Sequence, residues 1–164
     1  PASPASEESS TDLDELLRRV AASSGREFLV DARVPARISV RGTAVNNPSY
    51  ALLLSILRAN DLASVEIDDR TFIVSVDEAR QLPTRLVETD DRNIPDDEWV
   101  TRVLDVPGGG AARLVPVLRP MLPQQAHLAA MIAEDGAQSS KLVIVDRYAN
   151  VRRITQLVVA LTGR

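Results

Sequence analysis

Leu13, Leu16, Leu17, Val20 and Ala21 repeat at the i, i+3, i+4, i+7, i+8 spacing of one helix face. Thr11 is placed to cap the start of that helix and Gly25 to end it. "EFLVD" and "RISVR" follow as short strands joined by a turn through Val34-Pro35. Asn47-Pro48 then reads as a cap and first-turn proline for a second helix. That helix carries Leu52, Leu53, Leu54, Ile56 and Leu57, too much apolar surface for one face, so it should be covered on more than one side. Asn60-Asp61 ends it, and Val65, Ile67, Phe72, Val74 and Val76 flank an Asp68-Asp69-Arg70 turn as a hairpin.

The pattern then starts again. Trp99–Val106 reads as a strand, Ala111–Met121 as a helix, Leu128–Ile132 as a strand, "EDGAQSS" as a polar loop and "KLVIVD" as a buried strand. Tyr148–Leu161 closes the plan as a helix with Val151, Ile154, Leu157, Val158 and Leu161 inward. The order strand-helix-strand-strand-helix gives a small sheet with both helices on one face and an open edge. The fold class expected is therefore α+β, in two small domains. Residues 1–10, "PASPASEESS", are expected to be disordered or extended, 11–80 to form the first domain, 81–97 a linker, and 98–164 the second domain. Each unit has about 70 residues, near the lower size for a self-sufficient core, so the units should lean on each other or on neighbours.

Composition narrows the function. The chain is 45% hydrophobic but only 3% aromatic, so its core must be aliphatic. Net charge is −4, which argues against binding a phosphate backbone. With no cysteine, disulfide and thiol chemistry are excluded. No apolar run reaches the roughly 20 residues a membrane-spanning helix needs. The missing initiator Met and leader suggest a mature or excised piece of a longer chain.

Candidate chemistry is sparse. Gly108-Gly109-Gly110, between strand and helix, has the setting of a phosphate loop. It lacks the Lys-Ser/Thr of a Walker A loop and the spacing of a dinucleotide fingerprint, so a plain turn is favoured. Pro116 inside a helix should cost about 3 kcal/mol at an ordinary interior site, implying a short or kinked helix or a later start. His127, the sole histidine, has no local nucleophile or carboxylate pattern. Ser140 and Lys141 are adjacent on a strand and cannot converge; Ser139 and Lys141 share a face, but nothing indicates a pocket. The acidic pairs and triplet at Asp68-Asp69, Asp90-Asp91 and Asp96-Asp97-Glu98 lack calcium-loop spacing. No metal site, cofactor or enzyme activity is expected.

Longer stretches carry a family likeness. "DLDELLRRVAASSGREFLVDARVPARISVRG" resembles the opening of the N0 domain of bacterial secretins, and "SYALLLSILRANDLASVEIDDRTFIVSV" continues it with an L-x-x-N-x-L helix exit. "VTRVLDVPGGGAARLVPVLRPML", with its L-x-P-x-L-R, and "SSKLVIVDRYANVRRITQLV" resemble the N1 domain of the same proteins. The likeness covers about Asp12 to Thr162 and is greatest to the outer-membrane channel subunit of type II secretion systems. One departure is the poor strand former "EESST", where N0 domains usually begin with a strand.

The resemblance implies the periplasmic part of a ring-shaped outer-membrane pore for protein export. An N0 fold, like that of signalling domains, would meet the inner-membrane clamp protein of the system. A KH-like N1 fold would pack against its copies around a homo-oligomeric ring. Under that reading the strand Arg37, Ile38, Ser39, Val40 and Arg41 is the expected partner contact. Arg113, Arg119, Arg147, Asn150 and Arg152 are the expected ring-packing residues. Secreted proteins would be the cargo, with no nucleic-acid partner and no membrane span in this piece. Two rivals stand beside it. A KH-type nucleic-acid module would need basic residues beside its glycines, where only Arg113 is near. The signalling domain of an outer-membrane receptor would leave the second unit unexplained.

Overall fold

The computed structural model describes residues 9–40, 47–132 and 139–163. Strand β1 (Ser9–Asp12) pairs antiparallel with β3 (Arg37–Val40) in a two-stranded sheet. The opening strand is therefore present despite its weak β-formers. Residues Ser9 and Ser10, expected outside the folded domain, belong to it, while residues 1–8 lie outside the described part. Because Thr11 is held in the strand opposite Ile38, the cap of helix α1 (Leu13–Ser24) falls one residue later than expected, on Asp12. The Asp12 carboxylate accepts from the Glu15 N–H at 3.0 Å, and Gly25, at φ 69°, ends the helix.

Helix α2 (Tyr50–Ala59) is capped by Ser49, not Asn47. Pro48 thus stands outside the helix, where its missing N–H costs nothing. Strands β2 (Phe28–Val30), β4 (Leu62–Ile67) and β5 (Arg70–Ser75) form a second sheet in the order β2-β5-β4. β2 and β3, sequence neighbours, do not pair: β2 runs parallel to β5, and β3 joins β1 across the helices. The β4–β5 loop is Asp68-Asp69, at φ 49° and 61°. Short polar side chains tolerate that left-handed pair, which matches the twist of a hairpin.

α1 and α2 lie between the two sheets. Leu13, Leu16, Leu17 and Val20 meet Leu53, Leu54, Ile56 and Leu57, with Ile38 and Val40 on one side and Leu62 and Ile73 on the other. This meets the expectation that α2 is covered on more than one side, although Leu52 is left exposed.

A short helix α3 (Val76–Ala79) leads to β6 (Arg85–Leu86), which pairs parallel with β7 (Trp99–Pro107). With β8 (His127–Ile132) and β9 (Ser139–Arg147) these form a sheet in the order β6-β7-β9-β8. Helices α4 (Ala111–Leu118) and α5 (Tyr148–Thr162) cover one face of it through Ala111, Leu118, Tyr148, Val151, Ile154 and Val158. Pro116 sits inside α4, which is only eight residues long before a 3-10 turn, Arg119–Met121, takes over. Leu161, expected inward, is exposed; Val158 is the last residue of α5 in the core.

Residues 81–97 are more than a tether. Val87 and Ile94 are buried in the second core, the Asp91 N–H donates to the Tyr148 hydroxyl, and Arg102 pairs with Asp90. A third apolar cluster lies between the units: Ala63, Val65, Val74, Val76 and Ala79 close on Trp99, with Ile67, Phe72, Leu82 and Val145 around them. Strands β4 and β5 are thereby covered on both faces, which explains why Leu62, Ala63, Ser64 and Val65 are all buried instead of alternating. Trp99 has no exposed surface. Truncation of a buried tryptophan typically costs about 3–5 kcal/mol. Trp99→Ala is therefore expected to lose that much in urea unfolding, and to split a single transition into two as the units uncouple.

Candidate partner-binding surfaces

The strand expected to meet a partner is built into the molecule on both sides. Ile38 and Val40 point into the core, and Arg37 and Ser39 are exposed. Arg37 reaches back to β1, donating to the Ser10 hydroxyl at 3.0 Å and the Ser10 carbonyl at 3.1 Å. On the opposite edge the Asn60 side chain takes the place of a strand. Its Oδ1 accepts from the Ser39 N–H at 2.9 Å, and its Nδ2 donates to the Ser39 carbonyl at 2.8 Å and to the Ile56 carbonyl at 2.9 Å. One amide thus completes the end of α2 and one edge of β3, which is a physical reason for asparagine at the helix exit. Arg41 lies outside the described residues.

The outer strand of that sheet is β1, which sequence reasoning did not single out because Ser9-Ser10-Thr11 has little β character. A second edge is β2, where Leu29 and Val30 are exposed. Beside it a groove of about 600 Å³ runs along α1, lined by Leu17, Ala21, Phe28 and Val30 and rimmed by Asp14 and Arg18. Nearby, Asp31 accepts a bidentate contact from Arg33, and those hydrogen bonds hold its carboxyl down to about 2.

The five residues expected in ring packing separate sharply. Arg113 is exposed on α4. Arg119 donates to the Ala126 and Gln124 carbonyls, at 2.6 and 2.8 Å, and shapes the turn after α4. Arg147 is buried, its guanidinium 5.6 Å from the Trp99 ring centre, and burial pulls its affinity for the proton down. Asn150 donates to Asp146 at 2.8 Å, helping to satisfy a carboxylate whose burial pushes its pKa up. Arg152 pairs with Asp96 and lies over the Tyr148 ring. Four of the five therefore have work inside the chain, as the polar character of the run "DRYANVRR" alone could not reveal.

The triple glycine turns the chain. Gly108 and Gly109 have φ of 67° and 66°, and Gly110 leads into α4. The first helical N–H, of Ala111, donates at 2.9 Å to the hydroxyl of buried Ser140, which in turn donates to the Val106 carbonyl at 3.3 Å. Arg113 and Leu114 N–H both reach the Gly110 carbonyl. The amides an anion would need are thus largely engaged. Lys141 pairs with Asp105 at 2.8 Å, and His127 is exposed at the start of β8. Among the described residues, no group of three or more metal-ligating side chains comes together and no helix is long and apolar enough to cross a membrane.

Comparison with known proteins gives this geometry a context. Residues 8–74 match the family model described as GspD-like, N0 domain. Over 149 residues, 90% of the chain, the sequence is 31% identical to the secretin XcpQ of Pseudomonas aeruginosa. The chain spans about a fifth of that relative's length (21%). Among solved structures, a chain of the Klebsiella pneumoniae type II secretion system outer membrane complex, described with PulD, PulS and the PulC HR domain, superposes with a TM-score of 0.70. That match covers 97% of this chain and 26% of the other at 21% identity, so it bears on the fold.

The glycine geometry separates a turn from a ligand loop. Gly109→Ala should lose about 1–2 kcal/mol in thermal or urea unfolding, the cost of forcing an L-residue left-handed. Gly110→Ala, at φ −79° with only ordinary contacts near its added methyl, should lose much less. A loop used for binding would instead show its largest loss in affinity for inorganic phosphate.

Proposed function

The chain carries the N-terminal domains of a secretin of the GspD-like family, and from this we propose that it is the periplasmic region of an outer-membrane channel for protein export by type II secretion. The match of residues 8–74 to the GspD-like N0 domain carries the reading. The first unit, which begins at Ser9 and runs to about residue 80, acts as the docking domain for the inner-membrane clamp protein of the system. The second, residues 98–164, packs against its own copies in a homo-oligomeric ring through which secreted proteins pass. The family is one of secretion channel components, and the side chains described above contribute surface, charge and sheet edges.

The solved structure's description names PulD, PulS and the PulC HR domain together in one outer membrane complex. A comparable partner for this chain would meet the β1–β3 sheet, where the exposed guanidinium of Arg37 braces the outer strand. Strand addition there uses the main-chain groups of β1, with Arg37 setting charge and register. Ring contact falls to Arg113, since Arg119, Arg147, Asn150 and Arg152 are held by intramolecular partners. Arg113 lies on the exposed side of α4, near exposed Val117 and Met121. A charged and apolar strip of this kind suits a head-to-tail contact that closes by rotation.

Two measurements test the two halves of the reading. In titration calorimetry with the periplasmic domain of the clamp protein, Arg37→Glu should weaken binding by about tenfold or more, equivalent to about 1.4 kcal/mol. Unchanged affinity in a folded variant would remove the β1–β3 sheet as the docking surface. In the full-length protein, Arg113→Glu should lower the yield of detergent-resistant rings several-fold while the monomer stays folded. Normal ring yield would move the contact away from α4.

A further inference from the structure

Where the two units meet, a carboxylate is buried without adequate partners. Glu98 is 1% exposed, and neither of its side-chain oxygens receives a hydrogen bond from the protein. Its nearest cation, Arg85 on β6, stands 3.4 Å away but makes its closer contact, at 2.8 Å, with Glu66 on β4. Glu66 also accepts from Arg26, ahead of β2, at 2.9 Å. Arg26 in turn stacks 4.0 Å from the ring centre of Tyr50, whose hydroxyl is bonded to Ser64. The groups around Glu98 are therefore Arg85, Glu66, Arg26 and Tyr50, drawn from both units. Trp99, next in sequence, is also buried with its indole N–H unmatched in the same seam.

A buried ion is tolerated when its geometry and hydrogen bonds are good, and is costly when they are not. Here the Coulombic help from Arg85 comes without a hydrogen bond, and Glu66 competes for it. We propose that Glu98 makes the junction between the two units pH-sensitive: the units lock together while its carboxyl is neutral and articulate once it is ionised. The inference concerns the joint between the units and stands whether or not either unit has the docking role given above.

The direction follows from linkage. Burial is the largest influence on the carboxyl and pushes its pKa up, Arg85 opposes, Glu66 adds to the rise and Arg26 opposes. A group whose pKa is higher in the closed form favours closure fully below its open-form value. That contribution is lost as pH rises through the closed-form value. Closure is thus favoured from the ordinary glutamate range downward and weakens towards neutrality. An opened seam returns the carboxylate to water and exposes part of the Trp99 surface, so loosening should be partial rather than complete.

The chain has no cysteine, so two can be introduced as sole labelling sites. Spin labels at Ala22→Cys on α1 and Gln156→Cys on α5, both exposed, report the separation of the units by double electron–electron resonance. Between about pH 4 and about pH 8 the distance distribution should broaden in the otherwise native chain and stay narrow in Glu98→Gln. A distribution unchanged with pH in the native background overturns the proposal, and so does a Glu98→Gln variant that broadens like it. His127→Gln, altered on the far strand β8, should keep the native response. If Glu98→Gln does not fold, Arg85→Gln decides. With one cation fewer the carboxyl stays neutral to higher pH, so the midpoint of broadening should rise by about one pH unit. A midpoint that does not rise rejects the mechanism.

Discussion

The fold depends on one sheet that must be covered twice. Strands β5 and β4 have apolar residues on both faces, so the helices of the first unit can satisfy only half of them. The other half needs Trp99 and its neighbours. A sheet buried on both sides reads as a near-continuous apolar run, and "LASV" is such a run within an antiparallel hairpin. The first unit is small, so covering both faces of this hairpin adds apolar interior that its own helices do not supply. The junction is therefore part of the core of the first unit as much as a contact between two bodies.

That requirement shapes the segment between the units. Asp97 accepts from Arg58 at 3.1 Å and lies 3.4 Å from the Ser55 hydroxyl, tying α2 to the approach of β7. The carbonyls of Asp96 and Glu98 accept the first N–H groups of α5, from Ala149 and Tyr148, in place of a side-chain cap. An acidic cluster that looks like solvated linker charge thus serves as a bracket between a helix of each unit. The bracket works because two main-chain carbonyls and the Asp97 carboxylate meet donors from different directions within three residues.

Much of this was legible in the sequence, and the exceptions share a cause. Helical spacing marked α1, α2 and α5, and punctuation by Gly25 and Asn60 marked two of their ends. The caps at Asp12 and Ser49 were misplaced because each depends on how far a neighbouring segment stays extended, which pairing and proline decide. β1 was illegible because its partner, not its composition, makes it a strand. For the candidate surfaces, residue type pointed to Arg119, Arg147 and Arg152, yet Arg119 is held by carbonyls of the turn that follows it, and Arg147 and Arg152 by an indole and a carboxylate far away in sequence. Long-range partners of that kind leave no periodic trace.

The amide of Asn60 has a consequence for how this protein can and cannot assemble. A small sheet with two receptive edges can be joined on both sides and so propagate from molecule to molecule. By occupying the main-chain groups of Ser39, one side chain acts as a full stop on that side of the β1–β3 sheet. Within the β1–β3 sheet, among the described residues, the edge left open to a guest strand is then that of β1. A side-chain amide that fills a strand edge in this way limits edge-to-edge pairing there without adding a strand.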